Sequence, residues 1–313
     1  MEGKNLLAEV YKEYGNYFYV PMTQGYSVAV PVTIGCSWDK CLYCDLNHDN
    51  KFKFLGLNVI EDKLKILKEI YSNRRKPVKK IVLAGGNPFC LDTDTLIKII
   101  HLIKEYFPQV ENISSFARAD DILRKSKDEL KELKNLGVGE LSIGVESGND
   151  EILEFHNKGV TREDNYKAMK ILEECNISYS TYIMLGLGGK KLSRENAIDT
   201  ASLLSMVNPE VIIVVTLVIF KDAKLVEKLR NKEFERLGLL DLIKEERLLL
   251  ENLNMRNTIF NATHKTNTLI LKGKLPEQKE LLLKKIDRAI QEFDSRKAKN
   301  YEINRWRIWS IEK

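Results

Sequence analysis

The chain has no long apolar run. Its most apolar stretch, Val211 to Phe220, is ten residues long and is interrupted by Thr216, well short of the roughly 20 residues a membrane-spanning helix needs. Cysteine is scarce and its count of five is odd, which argues against a disulfide framework. Charge of one sign is also missing: 50 Lys and Arg offset 45 Asp and Glu, leaving +5 over 313 residues. Lysines alternate with glutamates in stretches such as 61–69, the pattern of a solvated helix face. Nucleic acid stays open as a partner on this basis but is not favoured. Repeats, low-complexity tracts and long linkers are lacking. Met1-Glu2-Gly3-Lys4 leads into polar, tyrosine-rich sequence without the apolar segment of a signal peptide. The expectation is a globular protein of the reducing cytosol, with no membrane partner.

What is present is an alternation. Short β-branched runs at 27–34, 80–84, 112–117, 140–145, 179–185 and 211–219 are separated by helical patterns at 60–72, 93–107, 128–136, 162–175 and 194–207. Asp92, Ser126, Thr161 and Ser193 stand at helix starts, and Gly137 stands just after a helix end. Six strands with five intervening helices argue for an α/β fold with a parallel sheet built from βαβ units. After Phe220 the alternation stops. Residues 221–250 are charged and helical with leucines at 225, 229, 237 and 240, a polar piece covers 252–268, and a helix follows Pro276. The expected organisation is an N-terminal extension (1–25), an α/β domain (26–220) and a mostly helical C-terminal region (221–313) packed on it. The basic, aromatic tail 296–313, with Trp306 and Trp309, reads as a docking segment.

Three of the five cysteines fall within nine residues: Cys36, Cys41 and Cys44, directly after the first strand. Three thiolates on one loop can hold a metal or an iron–sulfur cluster. A closed zinc site wants four protein ligands, and His48 is the neighbour that could supply one. An iron–sulfur cluster held by three cysteines leaves one iron open. Cys90 and Cys175 are isolated and read as small buried hydrophobes.

Gly35-Cys36-Ser37, with Tyr43 just before the last cysteine, resembles the radical S-adenosylmethionine (SAM) superfamily. The spacing of four and then two residues between the cysteines, in place of the usual three and two, resembles its coproporphyrinogen-oxidase-like branch. Other elements resemble the family in order. Gly85-Gly86-Asn87-Pro88 follows the second strand where the family has a Gly-Gly-Glu-Pro-like turn, with Asn87 replacing the glutamate; read alone it is a tight turn. Ser115 and Arg118 end the third strand and are placed either for SAM's polar groups or for ordinary ion pairing. Gly144-Val145-Glu146-Ser147-Gly148 ends the fourth strand; Glu146 suits the ribose diol as an acceptor, or the N-terminus of a helix. Lys158-Gly159-Val160-Thr161 matches an element in which Lys158 either neutralises the SAM carboxylate or belongs to a capping loop. The Gly186-Leu187-Gly188-Gly189 run fails as a phosphate-binding loop and corresponds to the family's adenine-side segment. His264-Lys265-Thr266-Asn267, near the C-terminus, resembles a His-x-Ser-Asn element of the branch, which places His264 and Asn267 on the substrate side as catalytic candidates; a structural role for the histidine is equally open.

The resemblance implies a partial (β/α)6 TIM-like barrel with a helical C-terminal extension. It implies a [4Fe–4S] cluster on Cys36, Cys41 and Cys44, SAM as cofactor, and Tyr43, Gly85, Gly86, Asn87, Ser115, Arg118, Glu146, Lys158 and Gly186 around it. The expected activity is reductive cleavage of SAM to a 5′-deoxyadenosyl radical that abstracts hydrogen from a small-molecule substrate, with reduced flavodoxin or ferredoxin as electron donor. The alternatives are methyl or sulfur transfer to RNA or protein, and a non-enzymatic metal or iron–sulfur module.

Overall fold

The computed structural model describes residues 2–14, 19–46, 50–72 and 76–293. His48 and the tail 296–313 lie outside these residues. The elements, in chain order, are α1 (Glu2–Tyr11), β1 (Val28–Pro31), β2 (Thr33–Ile34), β3 (Lys53–Phe54), α2 (Leu57–Ser72), β4 (Lys80–Ala84), α3 (Thr93–Tyr106), β5 (Asn112–Ala117), α4 (Ala119–Leu123), α5 (Lys127–Asn135), β6 (Val138–Glu146), α6 (Asp150–Phe155), α7 (Arg162–Glu174), β7 (Ser178–Leu185), α8 (Ser193–Leu204), β8 (Val211–Thr216), α9 (Leu225–Arg230), α10 (Leu239–Asn252), β9 (Thr258–Ala262), β10 (Leu271–Leu275) and α11 (Lys279–Gln291). The chain packs as two compact units interleaved in sequence: 1–39, 46–144 and 167–180 form one, and 40–45, 145–166 and 181–313 form the other.

In the first unit β1, β4, β5 and β6 pair in parallel, in that order. The start of β7 lies beside β6, where the hydroxyls of Ser142 and Ser180 meet at 2.9 Å. Their right to be strands is local: β1 is buried at every position and β4 at all but Lys80, as a sheet covered on both faces requires. The helices carry matching signals. Asp92 caps α3 by accepting from the Thr95 N–H at 2.8 Å, and Leu96, Ile99, Ile100 and Ile103 form its buried stripe. Ser126 and Glu129 close a reciprocal capping box on α5. Gly137 follows α5 at φ +106°, a conformation glycine adopts without Cβ strain. The expected strand 27–34 is two: β1 joins the sheet, whereas β2 turns aside to pair antiparallel with β3.

In the second unit the end of β7 is followed in the sheet by β8, then β9 parallel to β8, then β10 antiparallel to β9. The region after 220 is helical as expected in α9, α10 and α11, and it also supplies two strands that the sequence reading did not contain. Helix α10 packs against α8 and α11. It buries two consecutive carboxyls, Glu245 and Glu246, at 3% and 2% exposure. Glu246 Oε1 is buried without a hydrogen-bond partner among the described residues, and burial alone pushes its carboxyl up to about 8. A folded-state value above the unfolded one favours the folded protein at low pH, and the benefit is lost as pH rises from the ordinary carboxyl range through about 8. Glu246→Gln is therefore expected to match wild type near pH 4 and to exceed it by up to about 4 kcal/mol near pH 8. Urea unfolding across that range checks this, and parallel pH profiles would refute it.

Candidate functional site

The cysteine loop leaves β2 at Gly35, which lies at φ +70°; a Cβ there would come within 2.5 Å of the Asn50 carbonyl. None of the three loop cysteines is in a disulfide, and all three are partly exposed. Among the described residues no three His, Cys, Asp or Glu side chains are gathered into a ready metal-binding group, so the ligand assignment rests on spacing and accessibility.

Within the first unit the residues beside Cys36 are tied down by two strand ends. Asn87 Nδ2 donates to Ser37 Oγ at 3.0 Å and to the carboxylate of Asp121, which also pairs with Arg124. Arg118 lies 4.8 Å over the Trp38 ring and holds Asp120 through Nε at 2.9 Å. Arg118 thus orders the loop, with a planar cation on an aromatic face. Asn87 Oδ1 is buried and unpartnered among the described residues. The turn before it is tight: Gly85 sits at φ +140°, and a Cβ there would lie 2.0 Å from Thr33 Oγ1. The Gly86 N–H donates to the Gly35 carbonyl at 3.2 Å, and Ser115 Oγ donates to the Phe116 carbonyl at 2.9 Å. Cys90, expected to be buried, is half-buried instead; its thiol is hydrogen-bonded to Ser37, and burial pushes its pKa up. Cys175 is buried as expected.

Within the second unit Leu42, between Cys41 and Cys44, is held from both sides. Its N–H donates to the His156 carbonyl at 3.0 Å, and its carbonyl accepts from the Leu225 N–H at 2.8 Å. Tyr43 is buried in an apolar cluster with Ile152, Leu187, Ile219, Leu225 and Phe234. Burial drives its phenol well above the usual value, and the neighbouring Glu146, Cys41 and Cys44 add to the shift. His156, fully buried, meets Tyr43 edge-on at 5.5 Å and Phe234 at 5.6 Å. Burial holds its imidazole down to about 4, so it is neutral near pH 7 and its Nε2–H donates to the Leu187 carbonyl at 2.7 Å. His156 therefore braces the loop through packing and through its backbone carbonyl.

Glu146 ends β6 at φ +65°, an uncommon conformation for a residue with a side chain. Lys158 Nζ binds it at 2.9 Å, with both side chains largely buried. Next to it, Gly148 allows close approach: a Cβ would lie 2.4 Å from the Asp199 carbonyl. Gly186 follows β7 at φ +80°, and its N–H donates to Glu245 Oε1 at 2.8 Å. Burial pushes Glu245 up to about 7 against the hydrogen bonds from Ser193, Gly186 and Asn196 that pull it down. Asn267 spends its amide on β8, accepting from Thr216 Oγ1 at 3.0 Å and donating to the Val214 carbonyl at 2.7 Å. His264 Nδ1 lies 2.7 Å from Thr266 Oγ1. These bonds give both residues a role in fixing the loop between β9 and β10.

The structure thus joins Glu146 to Lys158 and ties Asn87 and Arg118 to the residues next to Cys36. Sequence reasoning missed His156, Asn196 and Glu245. Only their apolar neighbours hint at burial, and in the sequence Glu245 is one charge of a charged helix.

A family model for the radical SAM superfamily matches residues 30–201. The chain belongs to this superfamily. Its members are enzymes that bind a [4Fe–4S] cluster and SAM. The heme chaperone HemW of Bacillus subtilis is 29% identical over 171 residues, covering 51% of this chain and 43% of that protein. The uncharacterised protein MJ0486 of Methanocaldococcus jannaschii is 26% identical over 247 residues, covering 74% of this chain and 75% of that protein. Coproporphyrinogen III oxidase HemN of Escherichia coli superposes with a TM-score of 0.55 at 18% identity, over 72% of this chain and 52% of that one. The mostly parallel α/β sheet is the radical SAM fold, and HemW and HemN bear out the likeness of the cysteine loop to the HemN-like branch. No helix among the described residues is long and apolar enough to cross a membrane.

The residues present fit the family's cofactors. Three accessible thiols suit three irons. The buried, unpartnered Asn87 Oδ1 is an acceptor suited to an ammonium group, and it adjoins a Gly85 that tolerates no side chain.

Proposed function

We propose that this chain is a radical SAM enzyme whose Cys36, Cys41 and Cys44 hold a [4Fe–4S] cluster. The observation that carries the reading is the span of the family match: residues 30–201 contain the cysteine loop, the Gly85-Gly86 turn, Glu146, Lys158 and Gly186 together. When bound and reduced, the cluster supplies an electron that cleaves SAM to methionine and a 5′-deoxyadenosyl radical, which takes hydrogen from a substrate.

The chain's own residues bind and orient. Cys36, Cys41 and Cys44 would hold the cluster. The Gly85-Gly86 backbone and Asn87 Oδ1 would receive the amino group of SAM. Glu146, its carboxylate held by Lys158, would accept from the ribose hydroxyls, and the Gly186 turn would serve the adenine. Arg118, engaged with Trp38 and Asp120, and Ser115, bonded to its neighbour's carbonyl, hold the surrounding backbone. Tyr43 and its apolar neighbours keep water from one side of the loop, as a reactive intermediate requires. The heme in the name of the relative HemW favours a tetrapyrrole-like small molecule as what the site takes, with reduced flavodoxin or ferredoxin as donor. That none of the five cysteines is in a disulfide agrees with the reducing cytosol.

Glu146→Ala is expected to weaken SAM binding by about 1–3 kcal/mol, through lost charge-assisted hydrogen bonds. Isothermal titration of the reconstituted protein checks it. An unchanged affinity would remove Glu146 from the ribose site.

A further inference from the structure

Glu245 lies on α10, beyond residue 201 where the family match ends, yet its carboxyl serves the two turns assigned above to the nucleoside. Oε1 accepts from the Gly186 N–H at 2.8 Å and from Asn196 Nδ2 at 2.8 Å, while Oε2 takes the Ser193 hydroxyl. Asn196 carries the connection onward: its Oδ1 accepts from Ser147 Oγ at 2.6 Å, and Nδ2 also reaches the Met184 carbonyl at 3.0 Å. Ser147 directly follows Glu146. Every member of this chain apart from Ser193 is buried or backbone. The same region grips the Gly186 turn a second time, where the Lys190 N–H donates to the Glu235 carbonyl at 2.7 Å. A Cβ on Gly189 would lie 2.7 Å from that carbonyl.

A glycine turn does not require a buried carboxyl to form. One that spends its acceptors on the adenine-side turn, and reaches the ribose-side turn through a single amide, sets the spacing of both. We infer that Glu245 is a positioning residue for the adenosine half of SAM, fixing Gly186 directly and Glu146 through Asn196 and Ser147. The inference rests on the proposed function's assignment of those two turns.

The probe is S-adenosylhomocysteine, titrated calorimetrically into the full-length, cluster-reconstituted protein, with hydrogen exchange of residues 186–192 measured in parallel. Glu245→Ala is expected to weaken binding by at least about tenfold and to speed exchange in the turn, with iron content as in wild type. Glu245→Gln keeps the acceptor for Gly186 and Asn196, and its affinity is expected within about threefold of wild type. Wild-type affinity in Glu245→Ala overturns the inference alone, whereas no binding by wild type overturns the functional reading and the inference with it. Should Glu245→Ala fail to fold, Asn196→Ala decides: weakened binding supports the link through Ser147, and unchanged binding overturns it.

Discussion

Cys41→Ala abolishes the cluster: iron and acid-labile sulfide after anaerobic reconstitution fall to less than about 10% of wild type, because two thiolates cannot hold what three share. Position 41 is the sharpest choice. It is the middle cysteine of the loop, and Leu42 beside it is pinned by backbone hydrogen bonds to His156 and Leu225. A methyl group in place of the thiol leaves those backbone contacts untouched, so the loss reads ligation rather than folding. Cys90→Ala is the matched control. Cys90 is also near the loop, through Ser37, but it lies outside the three-cysteine spacing, and cluster content is expected to stay at the wild-type level. Near-full iron and sulfide in Cys41→Ala would remove the cysteine loop from the cofactor site.

Gly85→Ala carries the second large effect. A methyl group there meets Thr33 Oγ1 at 2.0 Å and the Thr33 carbonyl at 2.5 Å, at a backbone φ of +140° that side chains rarely adopt. The cost is expected to reach about 3 kcal/mol or more, from overpacking and backbone strain together. SAM affinity should fall with it, since the same turn faces the methionine end in the proposed site. Removing the threonine hydroxyl relieves only the first clash. Thr33→Ala combined with Gly85→Ala should therefore recover little, because the carbonyl contact persists. Urea unfolding of the single and double variants measures both effects. Wild-type stability in Gly85→Ala would mean that the turn has room it does not show.

The parts of this protein legible in its sequence are those set by local pattern. The runs 80–84 and 112–117 became β4 and β5 with those limits, since unbroken apolar or small-residue stretches between polar flanks leave little choice of boundary. Ser126 and Gly137 marked the two ends of α5 for equally local reasons. Strands β9 and β10 were hidden by composition. In β10, Leu271, Gly273 and Leu275 point inward and Lys272 and Lys274 outward, a period-two signal masked by two lysines and a glycine.

At the candidate site, the cysteine loop and the glycine turns were readable because their chemistry depends on spacing. His156, Asn196 and Glu245 were not, because burial by elements distant in sequence gives each its role. Glu245 shows the contrast most clearly: on its own helix it is one more charge, and only the Gly186 N–H and the Asn196 amide make it part of the site. For Arg118 the sequence leaves a SAM contact and an ordinary ion pair equally open, and the structure engages it with Asp120 and with the Trp38 ring.

The central claim is tested most directly by incubating anaerobically reconstituted protein with SAM and dithionite and measuring 5′-deoxyadenosine by mass spectrometry. Wild type is expected to yield the nucleoside, and Cys41→Ala none above background. A wild-type protein that holds a full [4Fe–4S] cluster, binds SAM and yields no more nucleoside than Cys41→Ala would contradict it.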